Sequence, residues 1–185
     1  MTTIYLIRHA HSHYTPDEMH RPLSEKGVKD AAAVTGCLTY ENIHAVLSSP
    51  YKRAVQTVEG IAGYIGSEIE IVEGFKERTL TAQPAEDFNK AITKVWENPS
   101  FSWEGGESNL AAQQRGVKAM KHVLKEYAGQ HVAIGTHGNI MVLIMQYFDP
   151  HYDFAFWRQL AMPDIYQLRF EEDLLKRVKG IGAFT

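Results

Sequence analysis

Hydrophobic positions along the chain switch between two spacings. Ile4-Tyr5-Leu6-Ile7, entered through Thr2-Thr3, is a continuous apolar run of strand length, which suits a strand covered on both faces. Ala45-Val46-Leu47-Ser48 and Val132-Ala133-Ile134-Gly135 read the same way. Glu68 to Val72 alternates as a strand, as do Tyr166, Leu168 and Phe170, with Glu171-Glu172-Asp173 as the turn into a last strand.

Between these runs the spacing becomes helical. Ser24 is placed to cap a helix extending to about Leu38. Tyr51, Ala54, Val55, Val58, Ile61, Ala62 and Ile65 share one helical face, with Ser49 and Pro50 suited to the N-cap and N1 positions. Leu110, Val117, Met120, Leu124 and Tyr127 mark an amphipathic helix, and Ile140 to Phe148 a buried one. Residues 84–108 are less regular, with Phe88, Trp96, Phe101 and Trp103 scattered through them, and read as a short lid or substrate-facing insertion.

Strands alternating with helices predict an α/β fold, a mainly parallel central sheet with helices on both faces. No repeat, low-complexity tract or linker divides the chain, so residues 1–185 read as a single domain.

Composition narrows the function. With 185 residues, 44% hydrophobic and 22% charged, the chain can bury a sizeable core. A net charge of -3 argues against a broad nucleic-acid-binding face. The single cysteine, Cys37, excludes an intrachain disulfide and reads as a small core residue. Residue 1 leads straight into the first strand, leaving no room for a secretion signal, and the longest apolar run, Ile140 to Met145, is far below the ~18 residues of a membrane span. The expectation is a soluble, cytoplasmic protein without a membrane partner; a homodimer is compatible with it.

The candidate chemistry lies where the apolar runs stop. In open α/β sheets the ligand crevice lies beyond the carboxyl ends of the strands. There the first strand presents Arg8-His9, the second is followed by Arg53 in the first turn of a helix, and the fourth leads into His137. Arginine supplies planar multiple donors and histidine a nitrogen nucleophile, a combination suited to a phosphoryl group. Arg53 near a helix N-terminus has exposed N–H groups beside it that also favour an anion.

Four blocks together, Arg8-His9-Ala10, Leu23-Ser24-Glu25-Lys26-Gly27, Ser48-Ser49-Pro50-Tyr51-Lys52-Arg53-Ala54-Val55-Gln56-Thr57 and Thr136-His137-Gly138, resemble the histidine phosphatase superfamily in its phosphoglycerate-mutase-like branch. Gly106-Glu107-Ser108 resembles a further short motif of that branch. The resemblance implies a phosphoglycerate-mutase-like fold and a small phosphorylated substrate, with no cofactor and no metal. It makes His9 the nucleophile, Glu77 the acid that protonates the leaving oxygen, and His137 a catalytic residue that also binds phosphate. It groups Arg8, Arg53, Ser12, Arg21 and Gly138 with His137 as substrate-binding residues.

Those roles agree with the side-chain chemistry. Phosphoryl transfer is catalysed mostly by positioning and by stabilising charge on the equatorial oxygens. Two arginines and a second histidine supply that stabilisation without a metal. His9 must be unprotonated to attack, which neighbouring cations favour, and Glu77 must start with a proton.

Ala10 stands where the family motif has glycine. The asparagine that mutases carry shortly after the first histidine is missing, and so is the carboxylate-handling segment, because Glu77-Arg78 continues as Thr79-Leu80. The reading is therefore a metal-independent phosphatase of small phosphate monoesters acting through a phosphohistidine. Phosphoglycerate mutase is the runner-up.

Each residue alone has a plainer account. Arg8-His9 suits a surface pair, Arg53 an exposed helix residue, His137 a cap, Arg21 a solvated loop, and Glu107-Ser108 the start of the next helix. Glu86, Asp87 and Glu107 are alternatives to Glu77 as the acid. Two rival classes remain: a metal-dependent hydrolase, if an extended strand put His9, His11 and His13 on one face, and a non-catalytic phosphate-binding protein of the same fold.

Overall fold

The computed structural model describes residues 1–182. In chain order the elements are β1 (Thr2–Arg8), α1 (Glu25–Leu38), β2 (Ala45–Ser48), α2 (Lys52–Ile65), β3 (Ile69–Ile71), α3 (Phe88–Glu97), α4 (Asn109–Glu126), β4 (His131–Thr136), α5 (Gly138–Phe148), α6 (Phe154–Gln159), β5 (Asp164–Glu171) and β6 (Leu174–Gly180). A short 3-10 turn at Glu73–Phe75 follows β3.

The strands form one six-stranded sheet in the order β3-β2-β4-β1-β5-β6. The pairings from β3 through β1 are parallel, and β5 and β6 are added antiparallel. The sheet is thus parallel where βαβ crossovers build it, and mixed at one edge where a hairpin closes the chain.

Alternation along β1 explains the two layers. Ile4 and Leu6 join a core with residues of α3, α4 and α5, whereas Tyr5 and Ile7 join a second core with Val34 and Leu38 of α1 and Val58 and Ile61 of α2. Successive side chains of a strand point to opposite faces, so a run without polar breaks requires helices on both sides.

Ser24 caps α1 through its side chain, which accepts the Gly27 N–H at 3.0 Å. Several local expectations need correction. The α2 N-cap is Tyr51 rather than Ser49, because the Ser49 hydroxyl is engaged by a buried histidine. Cys37 is exposed rather than in the core, since α1 turns Val34 and Leu38 inward and leaves Cys37 on the outer face. The irregular-looking 84–108 stretch contains α3, capped by Asp87, with Ala91, Ile92, Val95 and Trp96 buried. Helix α6 has no counterpart in the sequence pattern, being six residues long and so too short to display a helical period.

Among the described residues, no helix is long and apolar enough to cross a membrane.

Candidate active site

Strand register brings the three sequence-predicted strand ends to one level. Arg8 pairs with Thr136 across β1 and β4, and Ser48 pairs with Gly135 across β2 and β4. The residues that follow, His9, Ser49 and His137, therefore leave the sheet side by side at its carboxyl edge.

His9 is 8% exposed. Its Nδ1–H donates to the Ala10 carbonyl at 2.7 Å, which fixes the tautomer and leaves a lone pair on Nε2. Arg53 Nε approaches that Nε2 at 3.3 Å. Burial first, then the Arg53 charge, pushes the His9 pKa down from 6.5 to about 3. The imidazole is neutral at physiological pH, as a nucleophile must be.

The backbone after His9 is held from two sides. The Ala10 N–H donates to Thr57 Oγ1 at 3.0 Å, and Thr57 Oγ1 donates to the Arg53 carbonyl at 2.7 Å. Positive φ outside glycine occurs, among the described residues, at Asn42 and Glu172. Ala10 thus has ordinary backbone, and its methyl packs with Leu23 and Ala31.

His137 is fully buried, its ring 5.1 Å from that of His9 and edge-on to it. Its Nε2 lies 2.8 Å from Ser49 Oγ, which also accepts the Tyr51 N–H at 3.2 Å. Its Nδ1 is buried without a partner. Burial, followed by the charges of the site, holds the His137 pKa well below the ordinary value.

Arg8 Nη1 donates to the carbonyls of Leu160 and Ala161 at 3.3 and 3.0 Å, while its Nε is buried and unpartnered. Gly138 makes room for it, since a Cβ there would lie 3.0 Å from Arg8 Nε. Orphaned donors on Arg8 and His137, together with the Arg53 guanidinium, form a cage suited to an anion.

Glu77 comes in from the loop after β3 and lies across the N-terminus of α5. Its Oε2 accepts from Asn139 N at 3.1 Å and Asn139 Nδ2 at 3.3 Å, and its Oε1 from Ile140 N at 3.0 Å and Arg78 N at 2.8 Å. Asn139 Oδ1 in turn accepts the Trp96 indole N–H at 3.2 Å, so α3 supports the group that orients Glu77.

The other carboxylates considered as the acid are engaged elsewhere or, for Glu86, lie outside the His9 cluster. Glu107 forms a two-pronged pair with Arg115 at 2.9 and 2.7 Å, and Arg115 Nη1 clamps the Gly74 and Lys76 carbonyls that precede Glu77. Asp87 caps α3, and Ser108 caps α4. Glu86 lines a hollow of about 640 Å³ with Asp87, Lys90 and Trp103, none of whose lining residues belongs to the His9 cluster.

Not every sequence candidate enters the cage. Arg21 directs Nε and Nη2 to the Thr15 carbonyl and lies over the Tyr14 ring, acting on the site through its charge. Ser12 forms a bridge to Leu23 that ties down the loop. β1 ends at Arg8, so the alternation of His9, His11 and His13 does not become a shared face, and His11 Nδ1 pairs with Ser24 Oγ at 2.8 Å.

Sequence reasoning missed the roles of Ser49, Thr57, Asn139 and Trp96, and the pairing of Glu18 with Arg53 at 3.1 Å. Ser49 and Thr57 lie within the Ser48–Thr57 motif block, and Asn139 directly follows Thr136-His137-Gly138; Trp96 and Glu18 carry no local signal. Arg78, 3% exposed with Nε and Nη1 unpartnered, is likewise a buried cation that no pattern marks.

Comparison with known proteins gives the family and the fold. The family model for the histidine phosphatase superfamily (branch 1) matches residues 4–178. Phosphoserine phosphatase 1 of Hydrogenobacter thermophilus is 28% identical over 150 residues, covering 74% of this chain and 71% of that protein. Among solved structures, a mycobacterial glucosyl-3-phosphoglycerate phosphatase complexed with VO3 superimposes with a TM-score of 0.81 at 17% identity, over 98% of this chain and 99% of the other. A phosphoserine phosphatase from Entamoeba histolytica in complex with 3-phosphoglyceric acid gives 0.80 at 19% identity, over 99% and 98%. With the family model spanning all but the ends and the fold shared throughout, the chain belongs to the histidine phosphatase superfamily, branch 1.

Proposed function

We propose that this protein is a metal-independent phosphatase that hydrolyses phosphate monoesters of small molecules through a phosphohistidine on His9. One observation carries the reading: His9 has its Nδ1 proton tied to Ala10, its Nε2 accepts from Arg53 Nε at 3.3 Å, and the neighbouring Arg8 Nε and His137 Nδ1 are buried without a partner.

In the first step His9 Nε2 attacks phosphorus and the ester P–O bond breaks. Arg8, Arg53 and His137 stabilise the charge on the equatorial oxygens. Ser49 Oγ already accepts from Tyr51, so its own proton is free for His137 Nε2. His137 then presents Nδ1–H to the phosphoryl oxygen.

Glu77, which carries a proton by releasing one of its four N–H partners, gives that proton to the departing oxygen. In the second step water attacks phosphorus, Glu77 takes a proton from that water, and the P–N bond to His9 breaks, releasing inorganic phosphate. The phosphoserine and glucosyl-3-phosphoglycerate phosphatases among the similar proteins support this choice over a mutase.

The test is trapping. Turnover quenched in alkali, where a phosphohistidine survives, and mapped by mass spectrometry should place the phosphoryl group on His9, with hydrolysis unaffected by a chelator and inhibited by vanadate. His9→Ala should keep the fold and lose activity. A phosphoryl group on another residue, or an active His9→Ala enzyme, overturns the reading.

A further inference from the structure

Glu18 has no part in the mechanism above, yet it holds the guanidinium that the phosphoryl group needs. Arg53 Nη2 donates to Glu18 Oε1 at 3.1 Å, and Arg53 Nη1 donates to the Glu18 carbonyl at 2.8 Å. The Arg53 side chain is 4% exposed and that of Glu18 is 52% exposed. The pair therefore links the buried guanidinium beside His9 to the solvent-facing surface.

The chain at Glu18 is pinned in place. Besides the Glu18 carbonyl, that of Met19 is tied to α2 by accepting the Lys52 N–H at 2.9 Å. While these bonds hold, the Glu18 backbone cannot withdraw. A phosphoryl group that takes over Arg53 Nη2 displaces only the carboxylate, which stays at the rim with its charge and without its partner.

We propose that Glu18 is a specificity-determining residue that favours phosphate monoesters carrying an ammonium close to the phosphoryl group and disfavours those carrying a second anion there. The inference rests on the phosphatase reading, since it presumes a phosphate monoester in the cage. An ammonium on the substrate gives the displaced carboxylate a new counter-charge. A carboxylate in the same position adds repulsion to a site where water is partly excluded, so selectivity comes from both attraction and rejection.

The experiment measures binding, so that it does not depend on turnover. Phosphoethanolamine, propyl phosphate and phosphoglycolate, similar in size and differing in charge, are titrated calorimetrically into the His9→Ala protein, alone and combined with Glu18→Gln or Glu18→Lys. The preference for phosphoethanolamine over phosphoglycolate should fall roughly tenfold with Glu18→Gln, as expected for one charge acting a few ångströms away. It should fall further with Glu18→Lys. Propyl phosphate serves as the uncharged reference.

A preference unchanged within twofold in both variants, or affinities for all three ligands scaled by one common factor, overturns the proposal. So does failure of all three to bind, which would also remove the phosphate cage. Hydrolysis of p-nitrophenyl phosphate by the wild type reports separately on the phosphatase reading, so the two failures are distinguishable.

Discussion

Arg53 Nε sits 3.3 Å from His9 Nε2, so the nucleophile's lone pair meets a permanent cation inside a buried site. This contact stabilises the neutral imidazole and opposes its protonation. Burial of the ring first, and this contact second, make the fold sensitive to acid.

The sign follows from linkage. His9 binds a proton in the unfolded chain near its ordinary value but in the folded state only at about 3. Between those values the unfolded state holds more protons, so stability falls as pH drops below about 6.5. At pH 5 His9 should account for about 2 kcal/mol of lost stability, with His137 acting in the same direction. Urea unfolding at pH 7 and pH 5, without phosphate, should show a smaller loss for His9→Gln than for the wild type. An equal loss in both proteins would rule out His9 as its source.

Glu77→Gln should have two separable effects. An amide nitrogen cannot accept from the Asn139 or Ile140 N–H groups, so at least part of the α5 cap is lost, at about 1–3 kcal/mol. The chemical effect depends on the leaving group. Alkyl phosphates, whose leaving oxygen is strongly basic, should slow by ~10²–10⁴-fold, while an activated aryl phosphate is spared much more. Parallel denaturation and kinetics on both substrates separate the effects; equal slowing would leave Glu77 as a positioning group.

Gly27→Ala should disturb the loop that carries His9 from a distance. A Cβ at Gly27 would overlap the His11 carbonyl, a backbone atom that cannot rotate away. His11 O also accepts the Ser24 N–H at 3.0 Å, so the clash separates the loop from the start of α1. Strain of about 1–3 kcal/mol is expected, which lowers the thermal midpoint by about 2–12 °C. kcat should fall as His9 shifts. Scanning calorimetry with an aryl-phosphate assay checks both, and a variant with wild-type stability would show that the loop yields freely.

Much of the fold was legible in the chain because burial leaves a local imprint. Ile4-Tyr5-Leu6-Ile7 lacks polar breaks since β1 is covered on both faces, and the striped α2 and α4 each bury one side. The basic residues of the site could be read for the same reason: Arg8, His9 and His137 stand at or just after the ends of such runs, and Arg53 stands in the first turn of the helix after β2.

Tertiary structure decided what those residues touch. The Glu77 carboxylate is shaped by Asn139 and Ile140, far along the chain, and Asn139 by Trp96 from a segment that carried no helical period. Ser49 looks like a helix cap in the sequence, but His137 becomes buried beside it and takes its hydroxyl. Glu18 lies in a polar stretch without periodicity, and only the folding of that stretch over α2 puts its carboxylate on Arg53. Periodicity records which side of an element faces the core; it carries no information about which distant polar groups must pair once water has been excluded.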